Sequence, residues 1–71
     1  MHQTVVLFNE RPILVRFHGS DEKQIPSLLS ALKNNKITLG RMRQPPSHVE
    51  LYGTEALIYS GQEEAYRIPI F

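Results

Sequence analysis

Apolar positions recur along this chain with two different periods. Over residues 25–32, Ile25, Leu28, Leu29 and Leu32 stand at i, i+3, i+4 and i+7, which aligns them on one stripe of a helix. On either side the period shortens to two. Residues 4–8, Thr-Val-Val-Leu-Phe, are β-branched and apolar and read as a strand. Residues 13–17 read as a second, with Ile13, Val15 and Phe17 on one face and Leu14 and Arg16 on the other. The link between them, Asn9-Glu10-Arg11-Pro12, is short and polar, so an antiparallel hairpin is expected.

The turn His18-Gly19-Ser20 leads into the helix. Asp21 with Gln24 three residues on resembles a capping box, and the two acids Asp21 and Glu22 suit the positive end of the helix dipole. Pro26 allows a start at Asp21 or only at Pro26 itself; the expected span is 22–35. Asn34 and Asn35 are candidates for a left-handed cap, and Lys33 and Lys36 complement that end.

Residues 37–43 alternate and read as a third strand, with Ile37, Leu39, Arg41 and Arg43 on one side and a bulge or exit from the core at Gly40. Pro45 and Pro46 end it. Residues 48–52 and 55–59 flank Gly53-Thr54, which suits a two-residue type II′ hairpin. After a turn over 60–64 the chain closes on an apolar strand, 66–71, which Pro69 confines to a sheet edge. The fold class that follows is α+β: a small antiparallel sheet in the order ββ-α-ββββ, one helix packed on one face, residues 1–71 a single domain.

Length changes the picture next. A chain of 71 residues buries only about 60% of its unfolded surface and needs staples or a partner subunit. It has no cysteine, which excludes disulfides and thiolate metal sites. A homodimer is the expected way to enlarge the core. No apolar run approaches the roughly 20 residues of a membrane span, and residues 1–4 carry no basic, apolar leader. A cytoplasmic location is the expectation.

Candidate chemistry is sparse. His2, His18 and His48 lack metal-ligand spacing, so no metal or cofactor is expected. His18, Ser20 and Asp21 have the residue types of a hydrolase triad, but neighbours in one turn do not converge on a shared centre, and capping explains Ser20 and Asp21. Glu63 and Glu64 are adjacent in a turn, which is not an acid–base pair. The four glycines are dispersed and form no phosphate-cradling loop.

Charge carries the strongest functional hint. The net charge is +1, yet no acid occurs between Glu22 and Glu50 while Lys23, Lys33, Lys36, Arg41 and Arg43 do. On a strand Arg41 and Arg43 stand about 7 Å apart, the spacing of successive phosphates. His48 and Tyr52 add a donor and a stacking surface. The same strip also suits an acidic protein, or this chain's own acidic residues Glu50, Glu55, Glu63 and Glu64. The apolar tail is the second hint: Ile68, Ile70 and Phe71 complete the sheet or form an edge-strand interface with another chain.

The reading that follows is a small non-catalytic binding module acting on another protein as an inhibitor or regulatory adaptor. The alternative is a nucleic-acid-binding protein that sets Lys33, Lys36, Arg41 and Arg43 on phosphates. A small enzyme with its site at a dimer interface comes third.

Overall fold

A computed structural model describes residues 2–19, 21–42 and 44–70. Ser20, Arg43 and Phe71 lie outside the described residues, as do the side chains of residues 63–65. The architecture is α+β, with five strands in the order β1-β2-β3-β4-β5 and the helical segment on one side.

The first hairpin forms from β1 (Gln3–Phe8) and β2 (Arg11–His18), antiparallel from Gln3↔Arg16 to Phe8↔Arg11. Strand β2 therefore begins two residues earlier than the alternation suggests and takes Pro12 with it. The loop is Asn9-Glu10 alone, at φ 54° and 65°. Two consecutive positive φ values define a type I′ turn, whose twist matches the flanking strands. Asparagine tolerates that region; glutamate occupies it under strain.

The helical segment opens with a 3₁₀ turn, Glu22–Gln24, and continues directly into α1 (Ile25–Asn34). The Asp21 carboxylate caps it, accepting from the Lys23 N–H at 2.9 Å. The expected capping box is not made. Gln24 instead donates its side-chain amide to the Gly53 carbonyl at 2.9 Å, tying the helix start to the β3–β4 turn. Pro26 falls in the first turn of α1, where its missing N–H costs nothing.

No left-handed cap follows. Asn35 adopts φ −110° and ψ 18°, and its side-chain amide donates to the Ala31 carbonyl at 2.8 Å. The Asn35 N–H is shared between the Ala31 and Leu32 carbonyls, both at 3.2 Å, and the helix is interrupted at this residue. The chain then resumes as α2 (Lys36–Gly40), so the strand expected over 37–43 gives way to a helix over 37–40, with Arg41 and Met42 following in a turn and Arg43 outside the described residues. The physical reason is burial. Leu39 sits seven residues after Leu32 and extends the same stripe into the core, while Ile37 is left 75% exposed.

Because both helices lie between β2 and β3, the chain returns to the same end of the sheet. β2 and β3 (His48–Tyr52) consequently pair in parallel, from Leu14↔His48 to His18↔Tyr52. The sheet is mixed rather than antiparallel, which corrects the expected strand order. β4 (Glu55–Ser60) and β5 (Glu63–Pro69) follow as antiparallel neighbours. Gly53 and Thr54 have no positive φ, so the β3–β4 link is not type II′; the positive-φ glycines are Gly19, after β2, and Gly61, in the β4–β5 turn. The β4–β5 register shifts between Ile58 and Tyr59. Pro69 lies on the edge strand, where no neighbour needs its N–H.

The core lies between α1, α2 and one face of the sheet. Leu28 and Leu32 are fully buried against Ile13, Val15, Val49, Leu51, Ile58 and Ile68, and Ile70 joins them. Ile68 and Ile70 are therefore core residues.

Candidate functional site

The two faces of the sheet differ because period-two alternation sends every second side chain away from the helices. On β2, Leu14, Arg16 and His18 point to the helix-free side, and on β3 His48, Glu50 and Tyr52 do so. The parallel register aligns Arg16 with Glu50 and His18 with Tyr52. The antiparallel register then sets Glu50 beside Leu57 and His48 beside Tyr59 on β4.

These ladders assemble a polar array around one carboxylate. Glu50 stands on the central strand, its side chain only 14% exposed. Its Oε1 lies 3.1 Å from His18 Nε2, a hydrogen bond when that nitrogen carries the proton. Its Oε2 lies 4.0 Å from His48 Nε2 and is buried, with no hydrogen-bond partner among the described residues. The two imidazoles thus straddle the carboxylate rather than converging on one point. Among the described residues no group of three such side chains is arranged to hold a metal ion.

Each histidine is braced by a tyrosine. His18 stacks on Tyr52 with ring centroids 4.9 Å apart, and His48 on Tyr59 at 4.5 Å. Each stack covers one face of its two rings and fixes them against one another. Leu57 lies buried beneath the array. Arg67 approaches Glu55 at 3.9 Å. At the β1 edge of the same face, Val5 and Leu7 are 60% and 70% exposed.

Among the described side chains of the helix-free face, Arg16 and Arg67 stand with Glu50 and Glu55, and every lysine of the chain lies in the helical segment. The basic residues singled out from the sequence are accordingly divided. Lys33 and Lys36 line a cleft with Leu7, Phe8, Asn9 and Leu29. Lys36 also meets Arg11, Leu39, Met42 and Pro46 around a second cleft of about 210 Å³. Arg41 is the exposed C-cap of α2. With 37–43 not a strand, the alternation that put Arg41 and Arg43 on one face does not exist; Arg43 is also outside the described residues. His48 belongs to the other side of the sheet.

The triad-like trio is not assembled. His18 is committed to Glu50 and Asp21 to its capping bond, and Ser20 lies outside the described residues. Ile68 and Ile70 face the core, 1% and 4% exposed, so they offer no side-chain surface at the β5 edge. Phe71 lies outside the described residues.

The pairing of His18 with Glu50 had no counterpart in the sequence reading. The spacing His48-x-Glu50-x-Tyr52 marks three outward positions, but His18 joins them only through the parallel register. Among the described residues no helix is long and apolar enough to cross a membrane. Compared with protein-family models, with curated proteins and with solved structures, the chain matches none of them.

Proposed function

We propose that this protein is a non-catalytic binding module that docks on another protein through the helix-free face of its sheet, as an inhibitor or regulatory adaptor does. The observation that carries this reading is the array Tyr52–His18–Glu50–His48–Tyr59, held rigid on adjacent strands and facing solvent. Tyrosine and arginine are enriched and lysine and glutamate depleted where proteins meet; this face carries Tyr52, Tyr59, Arg16 and Arg67 and no lysine, with Glu50 and Glu55 each placed beside a basic or imidazole side chain. The half-sunk Glu50 carboxylate at its centre orients His18 from below, so the imidazoles and tyrosines are the groups a partner meets.

Catalysis is the weaker reading. A histidine–carboxylate pair orients an acid–base group, but a nucleophile or substrate pocket must meet the remaining ring nitrogen. The described cleft of about 210 Å³ is on the other side of the sheet. Nucleic-acid binding rests on Lys33, Lys36 and Arg41, whose side chains lie apart from the aromatic residues that stacking would use.

Affinity capture with nuclease treatment tests the proposal. A stoichiometric protein partner is expected, retained by Lys33→Ala/Lys36→Ala and weakened about tenfold or more by Tyr52→Ala. A partner that ignores Tyr52→Ala and His48→Ala, yet is lost with the lysines, overturns the reading.

A further inference from the structure

Strand β1 is a sheet edge that nothing among the described residues guards. Its sequence, Gln-Thr-Val-Val-Leu-Phe, contains no charge, no proline and no glycine, and it runs without a break in register against β2. Natural sheets protect such edges with charges, prolines or bulges, because unpaired N–H and C=O groups template another strand. The opposite edge has these devices: β5 carries Pro69, Arg67 and the register shift.

Alternation fixes which backbone groups are free. Phe17 N–H donates to the His2 carbonyl at 2.9 Å, so His2 and Phe17 form a hydrogen-bonded pair, and so by alternation do Thr4↔Val15, Val6↔Ile13 and Phe8↔Arg11. The N–H and C=O groups of Gln3, Val5 and Leu7 therefore point away from β2, out of the sheet. Val5 and Leu7 also carry the exposed apolar side chains at this edge.

We infer that the β1 edge is a self-association surface, on which two copies of the chain pair β1 against β1, antiparallel about a two-fold axis at Val5. This register sets Val5 opposite the partner's Val5 and Gln3 opposite the partner's Leu7, and it satisfies every outward N–H and C=O of the three residues in both chains. A strand without charge meets its own copy without like-charge opposition. The flanks of Val5 and Leu7 are shielded by the facing Val5 and Gln3 of the second copy, which a chain of 71 residues needs more than a large one does. Because β5 is guarded, the association closes at two copies instead of continuing into a fibre. The two five-stranded sheets become one, with both polar arrays on the same extended face. This inference rests on the strand edge and not on what the array binds.

Light scattering of the full chain from micromolar to submillimolar concentration tests it. The wild type is expected to move from 8.2 kDa toward twice that mass. Val5→Lys opposes two like charges on the axis, and Val5→Pro removes only an outward N–H; each is expected to weaken dimerisation at least about tenfold. Circular dichroism and protection of the Thr4 and Val6 amides, which face β2, establish that these variants fold. In a chain without other cysteines, Val5→Cys is expected to cross-link under mild oxidation and Gln3→Cys is not. A wild type that stays at 8.2 kDa, dimers that survive both Val5 changes in folded protein, or equal cross-linking at Gln3 would overturn the inference.

Discussion

Glu50 Oε1 meets His18 Nε2 at 3.1 Å across the parallel β2–β3 ladder, joining residues 32 apart in sequence. The contact leaves the second carboxylate oxygen buried, with no hydrogen-bond partner among the described residues. Burying an incompletely satisfied carboxylate is costly, and an apolar residue of similar size is often neutral or better for stability. That cost makes Glu50 the residue at which stability and the proposed docking can be tested apart.

Replacing Glu50 by leucine separates the two roles. Packed beside Leu57, the Glu50→Leu side chain is expected to leave thermal stability unchanged or to raise it by about 1 kcal/mol. Partner capture is expected to fall. A large loss of stability in thermal denaturation would show that the array is structural.

The type I′ turn offers a gain. Glu10 at φ 65° sits where glycine is favoured, and Glu10→Gly relieves about 1 kcal/mol of strain. In a domain of this size that raises Tm by about 4–8 °C. An unchanged or lower melting temperature would mean the loop does not have this geometry.

Leu39 and Ile37 distinguish helix from strand over 37–43. In α2 they face opposite ways, 4% and 75% exposed. Leu39→Ala is expected to cost about 2–4 kcal/mol and Ile37→Ala no more than about 0.5 kcal/mol. A strand would bury both, so comparable losses in urea denaturation would refute the helix.

The dispersed basic residues predict no sequence-independent nucleic-acid affinity at physiological salt. Titration against labelled duplex and single strands over a salt series checks this. A slope of log affinity against log salt near about −3 to −4 would instead report about four neutralised phosphates, and the alternative function would take over.

Local pattern made part of this molecule legible. The first hairpin, the amphipathic stripe from Ile25 to Leu32, the second hairpin and the edge position of Pro69 all follow from periods and prolines within a few residues. Residues 37–43 misled because Ile37 and Leu39 satisfy both a two-residue alternation and, through Leu39, the helical stripe. Tertiary burial decided between them. The turn types were set by φ at Asn9, Glu10 and Gly61, which composition alone does not fix. The array was half visible in His48, Glu50 and Tyr52. Its other half depends on which strands become neighbours, and that depends on residues 37–43.

The parallel ladder between β2 and β3 also divides the chain in time. The β1–β2 hairpin and the β3–β4–β5 meander each close through short loops, events of microseconds. Joining them requires residues 19–47 to loop back and the helices to dock, which is the slow, entropically expensive step. His18 and Glu50 come from opposite sides of that junction, so their contact is completed only when the last large piece arrives. The complete array therefore exists only in a chain that has finished folding, whereas the β1–β2 hairpin and the β3–β4–β5 meander each hold a part of it.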